Sequence, residues 1–322
     1  MTLRRRTLLA ASAAATIASP ALAQNYPRRA VQLIVAFPAG GSTDVGARIL
    51  AAAAEKDLGQ PITVVNKSGA GGQLGFTEIA RARPDGYTLG FINLPGMNTI
   101  VLDPERKATF NMESFIPIVN QVLDPGLIWV KGDSPYKTLA DLIEAARKAP
   151  GKISACTTGI LSDDHLAILM VQEAAKVEFR IVHFDGGTQQ LTGVLGGHVD
   201  VAFDNVGGVF KRVLSGDVLA LAVTDVERSK FLPDVPTTKE LGYGTVISSS
   251  TRGVAAPKGT PADIVKTIET AFVKAIESAE LVQRMDAVGL ALKPMVGAEY
   301  ATYYADLHKQ AAKYTEWALK MR

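Results

Sequence analysis

Residues Gln32 to Leu50, QLIVAFPAGGSTDVGARIL, pass from an apolar run through a glycine turn and a Ser-Thr-Asp cluster into an apolar-periodic helix. Residues Lys152 to Met170, KISACTTGILSDDHLAILM, repeat that order. A strand, a turn and a helix start form the repeating unit of an α/β sheet. The first turn of a helix leaves backbone N–H groups without partners and carries about half a positive charge, so it can hold a carboxylate or phosphate without Arg or Lys. Ser, Thr and Asp are also ordinary helix caps, so one such cluster says little. The duplication is what points to a ligand gripped from two sides, with Gly40 and Gly41 allowing close approach on the first.

The same alternation runs outward along the chain. Val31 to Ala36, Ile62 to Val65, Thr88 to Ile92, Ile153 to Cys156, Arg180 to His183, Val199 to Phe203 and Leu219 to Val223 are short apolar or β-branched runs, mostly with helical periods between them. That pattern predicts an α/β fold with a mainly parallel sheet. Two extended runs, Ile116 to Val122 and Leu127 to Val130, flank Asp124-Pro125-Gly126 and read as a passage between lobes. Val246 to Ala255 reads as a second passage, followed by a helix from about Ala262 to Ser278. Two passages make the first lobe discontinuous and place a hinge near Val119 to Leu123 and Ile247 to Thr251. The aromatic stripe Tyr300, Tyr303, Tyr304, Leu307, Tyr314 reads as a helix face packed on the first lobe.

Arg4-Arg5-Arg6, the apolar stretch Leu8 to Ile17 and Ala21-Leu22-Ala23 have the order of an export signal, so residues 1–23 are expected to be removed. Both the general secretory and the twin-arginine routes fit. Loss of three arginines takes the formal charge from +2 to about −1, and nothing strongly basic remains to attract nucleic acid or an anionic membrane surface. Cys156, the single cysteine, reads as a small buried strand residue.

Several longer motifs carry a family resemblance: Tyr26-Pro27-Arg28, Leu33 to Asp44, Leu58-Gly59-Gln60-Pro61, Asn66 to Gly72, Pro84-Asp85-Gly86-Tyr87-Thr88-Leu89, Leu195 to Asp200, Leu232 to Thr237 and Ala256 to Pro261. In this order they resemble the solute-binding component of tripartite tricarboxylate transporters, the TctC or Bug family. The resemblance implies a two-lobed periplasmic-binding-protein fold of the Venus-flytrap, type II-like kind. Residues 24–122 with 249–322 would form lobe 1 and residues 123–248 lobe 2, joined by a two-strand hinge. It implies a periplasmic monomer that captures a small organic carboxylate, without cofactor or metal, and delivers it to membrane permease subunits. The ligand carboxylate would be held by backbone N–H groups and water at Ala39, Gly40, Gly41, Ser42 and Thr43. Lobe 2 would contribute Thr158, Gly159 and Ser162 and the turn Asp185-Gly186-Gly187-Thr188.

Asp163 and Asp164 depart from the small residues that many members carry before His165-Leu166. Two readings stand. Either both face solvent and complement the helix dipole, or one faces the cleft and selects a ligand bearing a hydroxyl, an amine or only one carboxylate. Asp204 and Asn205 follow a strand end, where α/β sheets meet ligands, and either bind the ligand or cap the next helix through Gly207-Gly208. His165 and His183 read as structural hydrogen-bonding residues.

Enzyme readings fail on spacing. Gly69-Ala70-Gly71-Gly72-Gln73-Leu74 lacks the third glycine of a dinucleotide loop, and neither a phosphate-binding P-loop nor a nucleophile elbow occurs. Ser162, Asp164 and His165 are too crowded to converge as a triad. The alternative to transport is a sensor, the same lobe pair presented to a receptor kinase.

Overall fold

The computed structural model describes residues 26–321, and the predicted leader lies outside them. The chain begins with β1 (Val31–Val35), α1 (Ser42–Leu58), β2 (Ile62–Asn66), α2 (Gln73–Arg81), β3 (Thr88–Leu94) and α3 (Gly96–Leu102). It crosses on β4 (Phe115–Lys131) and builds α4 (Leu139–Lys148), β5 (Ser154–Thr157), α5 (Asp163–Ala175), β6 (Arg180–His183), α6 (Gly187–Leu195), β7 (Val201–Asn205), α7 (Val206–Ser215) and β8 (Val218–Thr224). It returns on β9 (Ser249–Pro257) to α8 (Ala262–Glu277), α9 (Ala279–Asp286), β10 (Leu292–Val296) and α10 (Gly297–Leu319).

The expected α/β, two-lobed architecture follows. The first sheet runs β2-β1-β3-β9-β4, with β10 also on β4; the second joins β4 to β7, β5 and β6, with β8 also on β4. β1 and β5 lie parallel to their neighbours, and every antiparallel ladder involves one of the crossing strands β4 and β9. Parallel strands are covered on both faces, which is why their sequences are nearly unbroken apolar runs such as Leu33-Ile34-Val35, all buried. Helices α1 and α8 close one face of the first sheet around Leu50, Ile268 and Phe272, while Phe76, Ile79 and Ile100 fill the other. In the second lobe Ile143, Ile168 and Phe203 pack on one face, with Trp129, Val206 and Val209 on the other.

The crossing differs from the sequence expectation. Asp124-Pro125-Gly126 does not separate two strands but lies inside the single 17-residue β4. Pro125 falls where the ladder changes partner, from β9 (Pro125 opposite Ser249) to β7 and β8 (Gly126 opposite Asn205 and Thr224), so its missing N–H breaks no regular pair. A Cβ on Gly126 would stand 2.3 Å from Thr224 Oγ1, so the glycine is there for close approach, not for a bend. Residues 119–123, where the hinge was expected, are paired with β9 within the first sheet; the passages lie at 124–126 and 248–249.

Helix α10 also reaches further than expected. Tyr300 and Tyr304 are buried against the first lobe, Tyr304 donating to the Met112 carbonyl at 2.9 Å. At its other end Ala318 belongs to the second lobe's core, with Trp317 and Leu319 packed beside it. The last turn therefore departs from the assignment of 249–322 wholly to lobe 1.

Candidate ligand-binding cleft

Between the lobes lies a cavity walled by β1–α1 and β3 residues on one side and by the starts of α5, α6 and α7 on the other, with Ser250 and Arg252 of β9 at its floor. The cavity volume is about 50 Å³, several times what one water needs. The lobes touch around it. Thr188 Oγ1 donates to the Ala39 carbonyl at 3.3 Å, Thr99 Oγ1 to the Leu161 carbonyl at 2.8 Å, and Gly159 backs onto Gly71.

On the first lobe, Gly41, Ser42 and Thr43 line the cavity where α1 begins, and no side chain caps that helix start. Gly40, with φ +82°, turns its N–H away to Asp44 Oδ2 at 2.9 Å, and Ala39 is exposed, so these two shape the loop without lining the cavity. Asp44 is in turn held by Arg48 Nε at 3.0 Å and Asn66 Nδ2 at 2.9 Å, which locks the loop to the helix it precedes.

On the second lobe the loop from Thr158 to Ser162 is organised differently from a second anion site. Thr158, Gly159 and Ser162 do line the cavity. However, Asp164 Oδ2 accepts from the Thr158 N–H at 3.0 Å and from its hydroxyl, while the Gly159 N–H donates to Thr157 Oγ1 at 3.1 Å. Both amides are thus taken internally. Ser162 Oγ caps α5 by accepting from His165 N at 3.3 Å. Of the 185–187 turn only Gly187 lines the cavity; Asp185 is exposed and Gly186 packs against Pro38.

Neither Asp163 nor Asp164 faces solvent, at 8 % and 3 % exposure, so the solvent-facing reading is corrected. Asp163 lines the cavity; Asp164 is turned into the loop behind it. Asn205 does not cap α7 with its side chain but ties the wall to the crossing strands. Its Nδ2 donates to Asp163 Oδ2 at 2.8 Å and its Oδ1 accepts from Arg252 Nη2 at 2.8 Å. Arg252 and Asp124, at 2 % and 0 % side-chain exposure, form an ion pair of 3.0 Å between β9 and β4. Asp204 Oδ1 accepts from Asn205 N at 2.8 Å, and a side chain on Gly208 would collide with that carboxylate at 2.4 Å. Burial pushes the acids up: Asp124 to about 6 despite Arg252, Asp204 to about 7, with Asp163 also raised. For Asp164 burial is joined by repulsion from Asp163 and Asp204, which raises it well above the usual carboxylate range.

The family model described as tripartite tricarboxylate transporter family receptor, TctC, matches residues 46–316. The chain belongs to the TctC family. Among solved structures, the periplasmic binding protein BugD is 32% identical, covering 92% of this chain and 98% of its own, with a TM-score of 0.83. A Rhodopseudomonas palustris protein solved with adipate is 27% identical over 90% of this chain and 98% of its own, TM-score 0.85. MatC from the same organism, with bound malate, is 27% identical over 90% of this chain and 100% of its own, TM-score 0.82.

In this TctC chain the cleft contains residues that sequence reasoning missed: Phe37, Pro38, Gly71, Asn93, Gly96, Ile160, Ser250 and Arg252. Asn93 and Arg252 left a faint signal. Each is a single strongly polar residue inside an otherwise apolar or small-residue strand, LGFIN and STRGV, where a polar side chain needs a specific partner. His165 and His183 lie off the cavity, their rings packed edge to face at 4.7 Å. Nδ1 of each has a local partner, the Leu161 N–H at 2.9 Å and Thr157 Oγ1 at 2.9 Å. Cys156 is fully buried and its thiol is raised by burial.

Proposed function

We propose that this TctC-family protein is a periplasmic solute receptor that closes two lobes on a small organic acid and delivers it to the permease subunits of a tripartite tricarboxylate transporter. The observation carrying this reading is the cavity itself. It is shared by both lobes, walled by the uncapped start of α1 and the start of α6, and floored by a buried arginine on a strand that joins the lobes. A ligand touching both walls stabilises the closed form by its contacts to each. BugD is described as a periplasmic binding protein, and the two R. palustris proteins were solved with malate and adipate, which supports an organic acid as the ligand class. No helix among the described residues is long and apolar enough to cross a membrane, so transport would require separate membrane subunits.

The site operates by binding, without turnover. Lobe 1, residues 24–122 with 249–322, carries the α1 amides, and lobe 2, residues 123–248, closes over them; only the end of α10 reaches across. A thermal-shift screen of the chain from Gln24 onward, against mono-, di- and tricarboxylates, aromatic acids and amino acids, tests the proposal. A rise in melting temperature with one acid class, and recovery of that acid unchanged after long incubation, supports it. A protein stripped of co-purified ligand by refolding that responds to no acid refutes it, and a chemically altered acid refutes the non-enzymatic reading.

A further inference from the structure

The cavity wall carries both hydrogen-bond donors and acceptors. Donors lie at the starts of α1 and α6, where Ser42, Thr43 and Gly187 have first-turn amides, and at Arg252, whose Nε has no acceptor in the protein. Acceptors lie elsewhere on the same wall. Asp163 and Asp204, 8 % and 5 % exposed, each accept from Asn205, Asp163 Oδ2 from its Nδ2 and Asp204 Oδ1 from its N–H, and Asp163 also accepts from its own backbone N–H. Across the cleft Asn93, 6 % exposed, gives its Nδ2 to Thr43 Oγ1 at 3.0 Å and is left with a buried Oδ1 that accepts nothing. A buried acceptor without a donor is costly, so Asn93 Oδ1, facing two buried carboxyls on the same small cavity, calls for a donor supplied from outside the protein.

Charge narrows the kind of donor. Arg252 is the only Lys, Arg or His among the residues that line the cavity, and its guanidinium already faces Asp124. That one guanidinium attracts Asp163 and Asp204 as well, so it is shared by three carboxyls, and Asp164 adds a fourth behind them. A hydroxyl would satisfy the hydrogen bonds and leave the charge. A bare metal ion would need converging ligands, and among the described residues no group of His, Cys, Asp and Glu is arranged to hold one.

We propose that the ligand is a zwitterion, a small carboxylate that also carries an ammonium group, with the carboxylate at the first-turn amides of α1 and the ammonium among Asp163, Asp204 and Asn93 Oδ1. This rests on the receptor reading above and narrows its ligand class. The raised acids fit it, because an ammonium brings Asp163 and Asp204 back toward ionisation, whereas a second ligand carboxylate would add negative charge beside them.

The test is isothermal titration calorimetry of the chain from Gln24 onward with matched compounds differing in one group: alanine, lactate and propionate; aspartate, malate and succinate; 4-aminobutyrate and butyrate. The amino member of at least one set is expected to bind tenfold or more tightly than its deaminated partner. That preference should fall below threefold in Asp163→Asn and Asp204→Asn, with folding checked by circular dichroism. Asn93→Ala, on the opposite lobe, should lower it as well, which keeps the test alive if an aspartate variant does not fold. If deaminated or hydroxy acids bind as tightly as their amino counterparts, or the preference survives in the folded variants, the zwitterion is overturned while the receptor stands. If no acid binds at all, the receptor reading falls and this inference falls with it.

Discussion

Arg252 is the side chain on which the cleft floor depends. It faces Asp124 at 3.0 Å and Asn205 Oδ1 at 2.8 Å while almost fully buried, and removing it would strand a buried carboxylate. Arg252→Met should therefore lower unfolding stability by about 3–5 kcal/mol, read from urea denaturation. A loss under about 1 kcal/mol would mean that Asp124 is neutral when folded. Asp124 and Asp204 also set a pH dependence. An unfolded aspartate titrates near 3.9, whereas these two titrate at about 6 and about 7 when folded. The folded state binds more protons in between, so their contribution makes stability fall as pH rises from about 4 to about 7. Urea midpoints across that range should show a shallower fall in Asp204→Asn than in the parent. At Gly41, with φ −74°, a side chain is tolerated by the backbone but would point between the Pro38 carbonyl and Thr188 Oγ1. Gly41→Leu should thus weaken ligand binding at least tenfold, about 1.4 kcal/mol, with little change in melting temperature of the unliganded protein. Of these residues, Gly41 was legible from its place before a helix start. Arg252 and Asn93 showed only as lone polar residues in their strands, because their partners sit 128 and 50 positions away (Arg252 to Asp124, Asn93 to Thr43) and local sequence does not encode such pairings.

Elements were easier to read than residues. β1, β3 and β5 coincide with apolar or small-residue runs because burial on both faces demands hydrophobicity, whereas the edge strands β2 and β6, mostly half-buried or exposed, were legible only from their β-branched residues. Two elements resisted. β10 contains Lys293 and Pro294, and its pairing with β4 is irregular between Leu292 and Met295, so its sequence looks like a loop. β4 hid its continuity behind Asp124-Pro125-Gly126, turn residues that here mark a change of ladder partner. The loop after β2 was weighed as a broken dinucleotide motif, and the structure shows a packing use for its glycines. A Cβ on Gly75 would stand 2.6 Å from the Ala36 Cα, so α2 lies directly on the end of β1. Gly75→Ala should destabilise by about 1–3 kcal/mol through overpacking, measured by thermal or urea unfolding. An unchanged midpoint would mean that α2 shifts freely on the sheet.

At the scale of the molecule, the lobes are linked by a ribbon of two antiparallel strands and by a long helix. The Asp124–Arg252 pair lies across the ribbon where the ladder changes partner, and Asn205 connects it to Asp163 on the cavity wall. The crossing strands and the cavity wall are therefore joined by one chain of polar contacts. Helix α10 adds a second restraint, anchored by Tyr304 on the first lobe and by Ala318 on the second. Ala318→Glu would place a charge in the second core and release that end. Small-angle scattering of the unliganded variant should give a larger radius of gyration than the parent, and an equal radius would show that α10 does not hold the lobes together.

The placement of α10 also makes the protein a ready-made optical ruler. Arg28 lies just ahead of β1 on the first lobe, whereas Met321, 43 % exposed, follows the turn that docks on the second. Cys156 is fully buried, so cysteines introduced at those two surface positions would be the ones a dye could reach. A donor and acceptor pair attached there would report the distance between lobes as a change in energy transfer, one molecule at a time, with neither dye in the cleft.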